Sequence, residues 1–411
     1  MMGDRLVLQG VRADFPGLEW QVHGRRLVYL DNAASTQMPR QVMQAMQDFE
    51  LDSRANIHRG VHARSQQATD AYEAARTTLA AYLGADATHE VVFCSGTTDA
   101  LNQVAFGLSD DTDGQPWLRP GDEIIVTALE HHANLLPWRR AARRSGARLR
   151  VLMPQRDGTL TTAALAELLG PRTRVLALTA CANATGYRPP YEAMMALAHQ
   201  AGALTVLDAA QAAAHEMAPL RLLGCDFLAL SGHKMHGPMG IGVLAGRREA
   251  LERLAPLRVG GDMVEHVSLE DVRWAPLPAR LEGGTPNVAG AVGLAAAAET
   301  IEAFGRAALD AHVAALRAQA AAGLKSLPGV RVLEGGGAIV AFVAEGAHPH
   351  DVGTVLDGAG VAVRTGYHCA QPLHDHLGLG PTTRASFALY NTADDVVALV
   401  EAVAQALELL R

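Results

Sequence analysis

From about residue 70 to residue 245 the chain alternates short apolar runs with amphipathic stretches, and no other feature restricts its fold as much. Val91-Val92-Phe93-Cys94, Glu123-Ile124-Ile125-Val126, Arg174-Val175-Leu176-Ala177-Leu178, Leu204-Thr205-Val206-Leu207 and Asp226-Phe227-Leu228-Ala229-Leu230 read as buried strands. Between them lie helical patterns such as Tyr191–Gln200, where Met194, Met195, Leu197 and Ala198 recur at helical spacing. A parallel pair of strands needs a crossover, usually a helix, so repeated strand-helix units predict a doubly wound, mainly parallel α/β sheet. After about residue 290 the pattern changes. A long Ala-rich helical region at 288–327 leads into strands near 330–333 and 338–343, then a helix, two more strands and a final helix at 394–410. The expected organisation is a large α/β domain at 29–290 and a smaller α+β domain at 291–411, with 1–28 packed on the smaller one.

Bulk properties remove several classes of function. A net charge of -8 offers no cationic footprint for nucleic acid or an anionic membrane. The apolar stretch at 288–298 is too short and too rich in Ala and Gly to span a bilayer. The opening Met-Met-Gly-Asp-Arg-Leu has an early acid and no apolar segment of signal-peptide type. The expected location is therefore the cytoplasm, where Cys94, Cys181, Cys225 and Cys369, with no CxxC pair among them, stay free.

In a doubly wound sheet, ligands bind beyond the carboxyl ends of the strands, and here each strand runs into a polar cluster. Cys94 is followed by Ser95-Gly96-Thr97-Thr98-Asp99 at the start of a helix, a natural phosphate cradle. Val126 leads to Glu130-His131-His132-Ala133-Asn134, Leu178 to Cys181-Ala182-Asn183, Leu207 to Asp208-Ala209-Ala210-Gln211 and Leu230 to Ser231-Gly232-His233-Lys234. Taken singly, each has a structural explanation: Asp208 as a helix cap, His131 as a hydrogen-bonded strand-end ring, Lys234 as a solvated cation. Together they place a phosphate cradle, an aromatic base, an acid and a lysine at one edge of one sheet. Pyridoxal 5'-phosphate needs that set: a lysine for its aldehyde, a carboxylate for its ring nitrogen and a helix end for its phosphate. Lysine is scarce. Of 35 basic residues only Lys234 and Lys325 are lysine, and arginine, protonated at neutral pH, cannot take its place. Lys325, in Gly-Leu-Lys-Ser-Leu-Pro-Gly at a helix end, reads as a surface residue, which leaves Lys234.

At these residues the chain resembles a known family. Ser231-Gly232-His233-Lys234, Asp208 with Gln211, Glu130 to Asn134 and Gly284-Thr285-Pro286-Asn287 resemble the class V aminotransferase superfamily, fold-type I pyridoxal-phosphate enzymes. Arg364-Thr365-Gly366-Tyr367-His368-Cys369-Ala370-Gln371-Pro372 resembles the cysteine desulfurases of SufS/CsdA type within it, supported by Arg384-Ala385-Ser386-Phe387 and Tyr390-Asn391-Thr392. The resemblance runs from Tyr29-Leu30-Asp31-Asn32-Ala33-Ala34 to the C-terminus. It implies that Lys234 holds the cofactor, His131 stacks on its ring, Asp208 meets the ring nitrogen and Gln211 the phenolic oxygen. By the same resemblance Thr97, Thr98, Ser231 and His233 serve the phosphate, joined by Thr285 from the partner subunit of a homodimer. Asn183 and Arg384 would hold the substrate carboxylate with Arg364 nearby, and His58 and Arg59, in Asn56-Ile57-His58-Arg59-Gly60, would lie along the entrance. Departures from the family pattern are Ser95, Ala182, Ala209 and Tyr367.

The activity so implied is removal of sulfur from L-cysteine. Lys234 serves as the base, Cys369 receives the sulfur as a persulfide, alanine leaves, and a small SufE- or SufU-like protein accepts the sulfur. Two rivals use the same residues differently. A selenocysteine lyase or cysteine-sulfinate desulfinase would release its leaving group without obligatory attack by Cys369. A metal-binding module would use His368, Cys369, His374 and His376, and would leave Lys234 and Asp208 unexplained.

Overall fold

The computed structural model describes residues 10–110 and 116–410; the opening segment read for targeting, and the first nine residues of 1–28, lie outside them. The large sheet has seven strands: β1 His89–Cys94, β2 Glu123–Thr127, β3 Arg148–Leu152, β4 Thr173–Thr179, β5 Leu204–Asp208, β6 Phe227–Ser231 and β7 Gly242–Arg247. They lie in the order β1-β7-β6-β5-β4-β2-β3. Every neighbouring pair is parallel except those made by β7, which runs antiparallel to both β1 and β6. The central strands β2, β5 and β6 are buried at every residue, as expected of a sheet covered on both faces.

The alternation of apolar runs foretold five of these strands but not β3 or β7. β3, Arg-Leu-Arg-Val-Leu, is an edge strand with one fully buried residue, so it lacks the apolar run that marks its neighbours. In β7 two glycines interrupt the pattern for a steric reason. A Cβ on Gly242 would sit 2.4 Å from the Leu230 carbonyl oxygen, and one on Gly246 would sit 2.3 Å from that of Asp226.

The Ala-rich region is not one helix. α1 Ala63–Leu83 and α2 Thr97–Ser109 belong to the large sheet's layers; α3 Val288–Phe304 and α4 Arg306–Lys325 are separated at Gly305, with 78° between them. Gly305, at φ 80°, turns the chain where a side-chain-bearing residue is disfavoured. α3 packs on α1, so a division at 290 cuts a continuous helix that lies against the large sheet's layers. Among the described residues no single helix is long and apolar enough to cross a membrane.

Beyond α4 lies an antiparallel sheet of β8 Val330–Val332, β9 Ile339–Ala344, β10 Arg364–Gly366 and β11 Thr382–Ser386, in the order β8-β9-β11-β10. Beside it the N-terminal segment forms a separate two-stranded sheet and reaches β11 through a bridge from Asp31 to Ser386. Val28–Tyr29 pairs in parallel with Val361–Ala362, and Arg26 binds the fully buried carboxylate of Asp395 at 2.5 Å. The segment then crosses to the large sheet, where Thr36 N–H donates to the His233 carbonyl at 2.8 Å, beside Lys234.

Candidate active site

A cavity of about 280 Å³ opens beyond the carboxyl ends of β2, β4, β5 and β6. Thr97, Thr98, His131, Asn183, Asp208, Gln211, Ser231, His233, Lys234, Arg364, Cys369 and Arg384 all line it. At its helix-N-terminal end, Ser231 Oγ accepts from the Thr97 amide at 2.7 Å and meets Thr97 Oγ1 at 2.8 Å, tying α2 to the end of β6. Gly96, at φ 146°, lets the chain turn into α2 there, and a Cβ would come within 3.2 Å of Ser231 Oγ.

Asp208 ends β5, buried, with Oδ1 accepting from the Ala210 amide at 2.9 Å. Burial raises its carboxyl pKa, against the pull of that amide and of Lys234. Lys234 closes a short turn, Gly232–Lys234, and burial lowers its ammonium pKa, with Asp208 opposing. Gln211 Nε2 donates to the Ala33 carbonyl at 2.7 Å, which brings the N-terminal segment to the cavity wall.

His131 is held by its own loop. Its Nδ1 accepts from the Ala133 amide at 3.0 Å, and burial pushes its pKa down to about 4, so the ring is neutral at physiological pH. Beneath the loop the Glu130 carboxylate accepts from Thr127 Oγ1 at 2.6 Å, Asn134 Nδ2 at 2.6 Å and the Thr179 amide at 3.0 Å. Trp138 Nε1 donates to Asn134 Oδ1 at 2.9 Å. Burial pushes Glu130 up to about 8, the three donors pulling the other way. The motif placed Glu130 beside the site without assigning it a task; its task is to link the ends of β2 and β4 and so fix the loop that presents His131.

The opposite wall comes from β10, β11 and the turn that carries Cys369. Arg384, on β11 and 2% exposed, donates from Nη1 to the Asn183 carbonyl at 2.6 Å. Its Nε is buried without a partner, as is Asn183 Oδ1. Burial lowers the Arg384 pKa to about 10, and Asp31 counters part of that. Arg364 forks onto Asp31, with Nε–O distances of 3.1 and 3.2 Å and an Nη2–O distance of 3.0 Å. Asp31, a link between the two arginines, carried no role in the motif reading. Cys369 is exposed to the cavity. Burial pushes the other thiols up, Cys94 to about 12, Cys181 to about 11 and Cys225 to about 12.

Three expected site residues stand elsewhere in this chain. His58 is exposed and meets Glu73 at 3.1 Å; Arg59 meets Asp262 at 3.1 Å and the Val264 carbonyl at 3.1 Å. Thr285 is exposed in the turn before α3 and does not line the cavity. The histidine cluster does not assemble as ligands either. His374 Nδ1 donates to the Ala370 carbonyl at 3.1 Å and His376 Nε2 to that of Pro154 at 2.7 Å. Among the described residues no three His, Cys, Asp or Glu side chains gather to hold a metal ion.

The cavity fits pyridoxal phosphate on its own terms. A lysine and a carboxylate converge in a desolvated space, a helix start and hydroxyls stand at one end, and two buried polar atoms await partners. The class V aminotransferase family model matches residues 28–399. A probable cysteine desulfurase of Mycobacterium leprae is 46% identical, the match covering 98% of this chain and 97% of that protein. A probable cysteine desulfurase of Halalkalibacterium halodurans is 42% identical over 94% of this chain and 95% of that protein. The crystal structure of the cysteine desulfurase CsdA from Escherichia coli superposes with a TM-score of 0.90 at 42% identity, covering 98% of this chain and 99% of that one.

Proposed function

The chain belongs to the class V aminotransferase family, and on that footing we infer that it is a pyridoxal-phosphate-dependent cysteine desulfurase. It converts L-cysteine to L-alanine and hands the sulfur on, as a Cys369 persulfide, to an acceptor protein for iron–sulfur cluster assembly or other sulfur biosynthesis. The observation that carries this reading is Cys369 exposed in the same cavity as Lys234, Asp208 and His131.

Bound pyridoxal phosphate supplies an electron sink for the pair released at the substrate α-carbon. Asp208 would hold a proton on the ring nitrogen, and Thr97, Thr98, Ser231 and His233 would hold the phosphate. Lys234 would hold the cofactor and, as a free amine, would take the substrate α-proton; its lowered pKa favours the neutral form that a base needs. His131, neutral and fixed by Ala133, would cover the ring. Gln211 would reach the phenolic oxygen. Arg384 and Asn183 hold the substrate carboxylate, Arg384 through its unpaired Nε–H, with Arg364 at the rim. The Cys369 thiolate attacks the substrate sulfur; an S–S bond forms, the C–S bond breaks with its electron pair going to the β-carbon, which takes up a proton, and Lys234 returns the α-proton so that alanine leaves.

A desulfurase must be emptied before it can turn over again. With free cysteine and neither reductant nor acceptor, alanine release should stop near about one equivalent per chain, a burst of the kind covalent catalysis produces. A small SufE- or SufU-like acceptor should restore continuous release. Steady alanine formation without either would sink the reading in favour of a lyase.

Thr285 lies outside its own cavity and fits the role of a phosphate ligand reaching across to a second subunit. On this reading the enzyme is a homodimer. Sedimentation at micromolar concentration should report twice the chain mass of 43.4 kDa; a single-chain mass with full activity would overturn it. A thiolate nucleophile is preserved in a reducing compartment, which supports the cytoplasm as its place of work, to be checked by cell fractionation.

A further inference from the structure

Two adjacent side-chain-bearing residues, His368 and Cys369, both adopt left-handed backbone, with φ 51° and 55°. Residues other than glycine avoid this region and hold it only where the surroundings over-determine it. The surroundings here do so. Asn183 Nδ2 donates to the His368 carbonyl at 2.6 Å, and the His132 amide donates to the Cys369 carbonyl at 2.9 Å.

Below the turn lies a buried chain that the chemistry does not use. The Ala370 carbonyl can only accept, so His374 carries its proton on Nδ1, 3.1 Å away. His374 Nε2 is then free to accept from the Thr382 hydroxyl at 3.4 Å, and that oxygen accepts from His368 Nε2 at 2.9 Å. Burial holds both rings neutral, His368 at about 3 with Arg384 adding to the effect. Thr382, fully buried, hydrogen-bonds to histidines on both sides of Cys369. It also lies two residues before Arg384 on β11, and alternate residues of a strand share a face. One face of one strand therefore carries the carboxylate-binding arginine and the anchor of the thiol's turn.

We propose that Thr382, acting through His368, is a positioning residue that sets the distance between the bound substrate and the Cys369 thiol. The inference rests on the desulfurase reading, in which Cys369 attacks the substrate sulfur. Its consequence is selective: a loosened turn harms sulfur transfer to Cys369 and spares steps that do not involve the thiol.

The test compares Thr382→Val with Thr382→Ser on two substrates, cysteine and cysteine sulfinate, whose oxidised sulfur group departs without attack by a thiol. Thr382→Val should lower kcat for cysteine roughly ten- to a hundredfold, the scale on which misplacement of a reacting group acts, with KM little changed. Sulfinate turnover should stay within about twofold of wild type, and Thr382→Ser should restore cysteine turnover because it keeps the hydroxyl. Should Thr382→Val not fold, His368→Asn carries the same test, since asparagine tolerates the left-handed backbone but cannot reach Thr382. Normal cysteine turnover in the variant, or equal loss on both substrates, overturns the proposal. Cys369→Ala separates the two levels: if it is inactive on cysteine while Thr382→Val is normal, only the positioning role fails, and if it turns cysteine over normally, the desulfurase reading fails with it.

Discussion

Lys234→Ala should abolish both the borohydride-fixed cofactor and cysteine turnover, while Lys325→Ala leaves both at wild-type levels. The contrast follows from placement. Lys234 lines the cavity beside Asp208, in a desolvated space that favours its neutral amine, whereas Lys325 is exposed at the end of α4. With 33 of the 35 basic residues being arginine, no neighbouring amine is available to take over. Loss of the attachment point and the base together should cost on the order of 10⁴-fold or more in turnover, the upper range for a general base alone. Arg384 and His131 remain in the variant, so any residual binding of cofactor should be reversible and lost on dialysis. Peptide mapping of the reduced wild-type enzyme should find the cofactor on the peptide containing Lys234; a normal fixed adduct in Lys234→Ala would refute the assignment.

Cys369→Ala should bind cysteine and release alanine only at background level, yet keep its turnover of cysteine sulfinate or selenocysteine, whose leaving groups need less help. No other cysteine can replace it. Cys94, Cys181 and Cys225 have their thiol pKa raised by burial to about 12, 11 and 12, which leaves almost no thiolate at neutral pH. Cys181 is the sharpest control, because it lines the same cavity as Cys369 and still lacks the ionised form that attacks. Mass spectrometry after a short pulse of cysteine should therefore show added sulfur on the Cys369 peptide alone. Sulfur found mainly on Cys181, or full cysteine turnover by Cys369→Ala, would move the enzyme to the lyase class.

The amino-acid sequence by itself determined the sheet, its ligand-binding edge and the groups gathered there. Strands buried on both faces must be nearly continuous apolar runs, so β1, β2, β4, β5 and β6 declared themselves. Parallel strands direct their carboxyl ends the same way, so a polar cluster after each run had to meet the others in space: Thr97 and Thr98, His131, Asn183, Asp208 and Lys234. The motif around Cys369 was equally local, a contiguous stretch from Arg364 to Pro372.

Tertiary structure decided what depends on contacts between distant residues. β3 was hidden because an edge strand needs little apolar surface, and β7 because its glycines answer to neighbouring backbone rather than to its own pattern. The Ala-rich helical region divides at Gly305, a turn that composition alone does not mark. Asp31, more than three hundred residues before the arginines it joins, became a link between Arg364 and Arg384 only through its bridge to Ser386 on β11. Thr382 is an ordinary strand threonine in sequence, and its part comes from the two histidines that the Cys369 turn folds onto it. Thr285, His58 and Arg59 lie off the cavity, because a local motif does not fix where its side chains pack. Local pattern reports which face of an element is buried; which side chain stands against which, across hundreds of residues, is set by packing of the whole chain.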